Sequence, residues 1–177
     1  MSMLIVFRGL PGTGKSHLVR LLVAARQSLL VLDRDSIRAG LIAHPDFGVE
    51  EKALIDDLIV AMAGFLLGRG RHVVIDGMAL SSESRLRELA DMARAHGTAC
   101  RIVECTCSER TALHRIAMDG SGHPAGDRSE KLYHEVKARY ARVDLPCLSI
   151  DTENSAAGNI EAILDYIGMV DEPLLNP

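Results

Sequence analysis

Residues 9 to 16 read Gly-Leu-Pro-Gly-Thr-Gly-Lys-Ser, three glycines followed by a cation and a hydroxyl at fixed spacing. Gly9, Gly12 and Gly14 let the backbone fold back so that successive N–H groups, that of Thr13 among them, line a cradle for phosphate oxygens at a helix N-terminus. Lys15 adds a compact charge that can reach the β- and γ-phosphates of a nucleotide, and the Ser16 hydroxyl is placed to bind Mg²⁺. A second carboxylate for that ion is expected at the end of a neighbouring strand, where Val73-Val74-Ile75 runs into Asp76. A third group lies at Asp33-Arg34-Asp35-Ser36-Ile37-Arg38. Asp35 and Arg38, three apart at a helix start, share one face, so the carboxylate can take a proton from a hydroxyl while the guanidinium holds an acceptor or a transferring phosphoryl group. The competing reading makes Asp35 a helix cap and Arg38 its exposed partner; for Asp33 and Arg34 a capping and surface role is preferred.

These groups must be carried by elements that bring them to one place. Leu4 to Phe7 is too short for a helix and reads as a buried strand, followed by the glycine turn and a helix from His17 to Gln27. Leu29–Leu32, Val73–Ile75, Arg101–Cys105 and Cys147–Ile150 repeat the short apolar pattern. Helical stretches stand between them at Ser36–Ile42, Glu50–Leu67, from a Ser81 or Ser82 cap to Ala95, Ser108–Met118, Glu130–Arg142 and Ser155–Ile167. Strands alternating with helices are βαβ units, and right-handed crossovers then give a five-stranded parallel sheet with helices on both faces. Leu54, Leu58, Ala61, Met62 and Phe65 recur at three- and four-residue steps and are expected to face the core. Residues 119 to 126 collect glycine, proline and polar residues in the place of a small lid, about 119–128 within a single domain of 1–177.

Composition narrows the partners. Of 177 residues, 47% are hydrophobic and 25% charged, and 20 basic against 24 acidic side chains leave a net charge of −4, which removes a broad basic field for nucleic acid. Three Phe, three Tyr and no Trp leave little for a base-stacking platform. No apolar run approaches the ~20 residues of a bilayer span, and Met1-Ser2-Met3 leads into the first strand without a basic leader, so a soluble, cytoplasmic protein is expected. Cys100, Cys105, Cys107 and Cys147 lack C-x-x-C pairs and read as buried reduced thiols, as does the Cys105-Thr-Cys107 step. Lys131, Lys137, Arg139 and Arg142 read as a solvated helix face.

Together, Gly9 to Ser16, Arg34-Asp35-x-x-Arg38, Val74-Ile75-Asp76-Gly77 followed by Ser81 and Arg85, and a late helix bearing Arg115 before a lid resemble the P-loop kinases related to polynucleotide 5′-kinases, zeta-toxin-like kinases and small AAA-type kinases. The resemblance covers nearly the whole chain and implies an α/β P-loop NTPase fold, with the Walker A loop at Gly9–Ser16. It also implies ATP and Mg²⁺, a metal shell of Ser16 and Asp76, and catalysis by Lys15, Asp35, Arg38 and Arg115. Asp35 resembles the base, Arg38 the acceptor contact, and Arg115 the lid arginine closing on the phosphates, with Arg128 a second such charge. The sequence departs from that pattern at His17, where a Thr is usual, and at Met78 and Ala79, where a polar residue is usual. Leu32-Asp33-x-Asp35-x-x-Arg38-x-Gly40-Leu41, with Asp151-Thr152, also resembles adenylylsulfate kinases.

The reading that follows is an ATP-dependent kinase transferring the γ-phosphoryl group to a hydroxyl on a small molecule or nucleotide, with a nucleic-acid end less favoured. The alternative from another class is a nucleotide-dependent switch or regulatory ATPase without an acceptor. No N-K-x-D base-reading motif argues for GTP. Acceptor identity, oligomeric state and the place of Arg85 are left open.

Overall fold

A computed structural model describes residues 2–119 and 129–169, the side chain of Asp119 excepted. The proposed lid, with His123 and Arg128, lies almost entirely outside the described residues.

Five strands, β1 (Met3–Arg8), β2 (Leu29–Asp33), β3 (His72–Asp76), β4 (Ala99–Thr106) and β5 (Cys147–Asp151), form one sheet in the order β2-β3-β1-β4-β5. Every pairing is parallel. The connecting helices are α1 (Lys15–Ala25), α2 (Arg34–Leu41), α3 (Val49–Leu67), α4 (Glu83–Ala95), α5 (Glu109–Asp119) and α6 (Glu130–Ala138), and α7 (Ala156–Ile167) follows β5. The α/β architecture expected from the alternation of short apolar runs and helical patterns is the one observed.

Burial on both faces explains why β1 is apolar without interruption. Leu4 and Val6 enter the layer under α3 and α4 with Val73, Ile75, Leu86 and Leu89. Ile5 and Phe7 point the other way, to Leu18 and Leu22 of α1 and Ile163 and Ile167 of α7. A parallel sheet covered on both sides needs this pattern, because alternate side chains leave by opposite faces. Its consequence for function is that the carboxyl ends of all five strands, and the loops leaving them, meet at one edge.

Helix α3 corrects the sequence expectation. Its core line is Ile55, Ile59, Ala63 and Leu67, whereas Leu54 and Phe65 of the expected stripe are 63% and 58% exposed. From Leu58 to Leu67 the helix carries no charged residue on any face, so periodicity alone allowed either phase. The choice fell to the face that meets Leu32 and Ile75 in the packed layer.

The helix expected over Glu130–Arg142 is also shorter, ending at Ala138. Just beyond it the Ala141 peptide is claimed from both sides: its N–H donates to Ser81 O at 3.0 Å and its carbonyl accepts from Arg8 Nη2 at 3.0 Å. Arg8 is fully buried, with Glu104 Oε1 at 3.5 Å and the Tyr140 ring 4.3 Å below its guanidinium. Tyr140 in turn donates to Glu104 at 2.9 Å. Continuing the helix would forgo these contacts.

Candidate functional site

The residues singled out in the sequence converge on a cleft of about 1610 Å³ along the carboxyl edge of the sheet. Its centre is the turn between β1 and α1. Gly12 stands there at φ +78°, and a Cβ on it would lie 2.4 Å from the carbonyl oxygen of Ala112 in α5. Gly9, at φ +149°, is as closely pressed, with Cys105 O at 2.4 Å from such a Cβ. Only glycine combines those dihedrals with that approach. Thr13 braces the turn by donating to Leu10 O at 2.8 Å. Lys15 is curled over the same loop, its ammonium donating to Gly9 O at 2.8 Å and Leu10 O at 2.9 Å.

Asp76 is paired with Asp33 across the β2–β3 register at the strand ends. Its carboxylate accepts from the Ser16 hydroxyl, and burial, the larger influence, pushes its pKa up from 3.8. Oδ1 has no hydrogen-bond partner among the described residues. A buried carboxylate oxygen left open beside a serine hydroxyl, below a phosphate cradle, is a donor set that suits Mg²⁺ with the water ligands that ion retains. The residues present therefore fit the metal expected from the sequence.

The second half of the cleft is built by α2. Asp33, not Asp35, caps it, accepting from the Ser36 N–H at 2.7 Å. Asp35 is thereby free of the cap and lies in the first turn, where it accepts from Arg38 Nη1 at 2.8 Å. Arg38 is 3% exposed rather than a solvated partner, with Glu51 Oε1 of α3 2.9 Å from its Nε. Phe47, held at φ +55°, places its ring 5.2 Å from the same guanidinium. Burial raises the Asp35 pKa above 3.8, helped by the neighbouring Asp33 charge and opposed by Arg38. Arg34 pairs with Asp56 at 2.7 Å, a wall contact.

On the other flank, Arg115 of α5 donates to Thr152 Oγ1 at 2.9 Å, to Thr152 O at 3.1 Å and to Gly12 O at 3.4 Å. The guanidinium thus ties the phosphate turn to the loop after β5. Glu153, next in that loop, accepts from the Ser108 N–H at 2.9 Å and so steadies the start of α5.

The loop between β3 and α4 closes the cleft's back wall. Leu80 adopts φ +48°, an unusual conformation for a branched residue, and its neighbours explain it: Ala79 O accepts from Gly9 N at 3.4 Å, and Ser81 O accepts from Ala141 N. Ser82 takes the N-cap position of α4 with no side-chain cap hydrogen bond. Arg85 lines the cleft and also pairs with Asp57 and Glu88.

Sequence reasoning missed Glu51, which holds the outer edge of Arg38, and did not foresee that Arg139, exposed as expected, also lines the cleft. Neither has a local signal, since both reach the site through tertiary packing. Arg142 follows the end of α6. The four cysteines are free, and no group of three or more His, Cys, Asp or Glu able to hold a metal occurs among the described residues. No described helix is long and apolar enough to cross a membrane.

The fold has relatives among solved structures. The APS kinase of Mycobacterium tuberculosis, solved with AMPPNP and APS, is 22% identical with a TM-score of 0.73, over 94% of this chain and 98% of that one. Kti12 of Chaetomium thermophilum with ADP-AlF3 is 18% identical at a TM-score of 0.71, covering 93% and 98%. A gluconokinase of Sinorhizobium meliloti 1021 is 18% identical at 0.66, covering 94% and 91%. At these identities the likeness is one of fold. No curated protein matches the sequence. Among family descriptions, that of the AAA domain matches residues 4–145.

Proposed function

The chain belongs to this AAA domain family, and from that premise we propose that it is an ATP-dependent phosphotransferase moving the γ-phosphoryl group to a hydroxyl on a small molecule or nucleotide. The observation that carries the reading is the juxtaposition, in one cleft, of the phosphate turn with its Ser16–Asp76 pair and the Asp35–Arg38 pair. A switch needs the first of these and not the second.

In this reading the loop N–H groups and Lys15 hold the β- and γ-phosphates, with the ammonium exchanging its two carbonyl partners for phosphate oxygens. Ser16 and Asp76 would hold Mg²⁺, which would supply charge neutralisation to the bound phosphates. Asp35 accepts the proton of the acceptor hydroxyl. The freed oxygen bonds to the γ-phosphorus as the bond to the bridging oxygen of ADP breaks, and ADP leaves. Arg38, fixed by Asp35 and Glu51, orients the acceptor or the moving phosphoryl group. Arg115 presses on the phosphates from the α5 side, and Arg128 is assigned a second contact of this kind. A raised Asp35 pKa suits a base, since a carboxylate of higher proton affinity accepts more readily.

The test is transfer of label from γ-labelled ATP with Mg²⁺ across nucleosides, sugars, hydroxylated antibiotics and 5′-hydroxyl oligonucleotides, beside Asp35→Asn. Label on one acceptor class, lost in the variant while ATP still binds, is the expected result. Label released only as free phosphate, at a rate the variant leaves unchanged, would replace this reading with that of a regulatory ATPase.

A further inference from the structure

Helix α3 carries a second apolar line that the sheet does not use. Leu54, Leu58, Ala61 and Phe65 follow one another in steps of four, three and four, away from the core line of Ile55, Ile59, Ala63 and Leu67. Leu54 and Phe65 are the expected core residues that face water; Ala61 between them is exposed as well, and Leu58 is half-buried. The exposed side of the neighbouring α4 is different, for it presents Arg87, Glu88, Asp91 and Arg94. Single exposed apolar residues are ordinary, but a continuous apolar line open to water marks a contact surface.

The spacing, the side-chain sizes and the charges on this face all fit a second copy of the same helix. Alternating steps of four and three give a period of 3.5, the seam by which one helix lies along another. The next step of three reaches Gly68, the exposed C-cap of α3. If a second copy is turned antiparallel about Ala61, the two Ala61 side chains meet at the crossing, where small groups let the helix axes come close. Phe65 of one copy then lies over Leu58 of the other, and Leu54 over Gly68, bulky against smaller at each level. The charges select the same orientation. Exposed Glu50 and Asp57 stand toward the N-terminal end of the face, whereas Arg69, its guanidinium 3.6 Å from the centre of the Phe65 ring, and exposed Arg71 stand at the C-terminal end. Antiparallel pairing brings unlike ends together, and parallel pairing would set like against like, which charge complementarity at an interface opposes.

We infer that the outer face of α3 is a self-association surface, on which two copies of the chain pair with their α3 helices antiparallel across Ala61. Such a contact uses the same patch on both copies and closes at two. None of its four apolar residues lines the cleft, and Glu51 and Asp56 of the same helix turn to Arg38 and Arg34 of α2, so both clefts stay open. The inference therefore stands apart from the reaction the cleft carries.

Sedimentation equilibrium of the full chain over about 1–300 µM reads the association directly, and a reversible monomer–dimer equilibrium is expected. Ala61→Glu sets two carboxylates against each other at the crossing, and Leu54→Gln/Phe65→Gln removes the apolar contact; each should raise the dimer dissociation constant by about a hundredfold or more. Arg94→Glu, on the exposed side of α4, should leave it unchanged. Melting temperatures taken at a concentration where every protein is a monomer show that the fold is intact, since all these positions face water. A monomer at every concentration, or a dimer whose constant both α3 variants leave within about threefold of the original, overturns the inference. Binding of that monomer to phosphatidylglycerol vesicles, lost in Ala61→Glu, would give the face to a lipid surface instead.

Reversing charges tests the orientation. Arg69→Glu/Arg71→Glu and Glu50→Lys should each weaken the dimer, because an end of one copy then meets an end of like charge on the other. The triple variant Glu50→Lys/Arg69→Glu/Arg71→Glu, with both ends reversed in one chain, should recover most of the lost affinity. Weakening by either set without recovery in the triple variant, or no weakening by either, overturns the antiparallel pairing.

Discussion

Arg38 donates to Asp35 at 2.8 Å while Glu51 lies 2.9 Å from its Nε, so one buried guanidinium is shared between a carboxylate at the mouth of the cleft and one behind it. Glu51 fixes the arginine, and the arginine fixes the carboxylate to which the proposed reaction gives the acceptor's proton.

Replacing Asp35 by Asn keeps the shape and removes the base, so kcat/KM should fall by about 10²- to 10⁴-fold with ATP binding retained. The pH profile follows from the raised pKa. As pH falls through that value, above 3.8, the carboxylate takes up a proton and can no longer accept one, so kcat/KM should decline on the acid side and the Asn variant should lose that limb. Stability runs the other way. Between 3.8 and the raised value the folded state binds more protons than the unfolded one, so this group's contribution to stability grows as pH falls through the window. Urea unfolding of both proteins across that range reads the difference.

Asp76 should show function opposed to stability. Its carboxylate is buried with one oxygen unpartnered, so Asp76→Asn should leave the ligand-free protein as stable or more so, by up to about 1 kcal/mol, or roughly 2–4 °C in Tm for a chain of this size. The Mg²⁺-dependent part of stabilisation by AMPPNP should disappear. Thermal shifts with and without Mg²⁺ check both halves.

Arg115 and Thr152 should act as a unit. Arg115→Met should raise the KM for ATP about tenfold, since a hydrogen bond to a charged group contributes about 1.5–3 kcal/mol. Thr152→Val, which removes only the oxygen that orients the guanidinium, should cost less. The double variant should cost no more than Arg115→Met alone, because Thr152 works through Arg115. Nucleotide titration of the three variants gives the comparison.

Arg8 carries no role in transfer in this account, yet its loss should be felt widely. In Arg8→Met the Ala141 carbonyl loses its donor and Glu104 its counter-ion, a cost of about 2 kcal/mol, less than for a fully buried pair because Glu104 reaches solvent. Tyr140→Phe should cost about half of that. Denaturant melts measure both, and the larger loss is expected to be Arg8's.

The phosphate turn, its Lys15 and Ser16, the strand-end Asp76 and the pattern of strands between helices could be read from the sequence because each depends on neighbours within a few residues. A glycine spacing, an apolar run ending in a carboxylate and a period of 3.6 are local constraints, and they survive in the order of residues. Even the Asp35–Arg38 pair could be read there, with Asp33 preferred as the cap, although the burial of Arg38 could not. That burial comes from Glu51 and α3, packed against the helix. The phase of α3, the end of α6 at Ala138, Glu51 behind Arg38 and Arg139 on the cleft wall were decided by tertiary structure alone. Each depends on which surface another element presents across the fold: the layer under the sheet selects one of two equally apolar helix faces, and Arg8, far along the chain, draws Ala141 out of a helix that its own sequence would have continued.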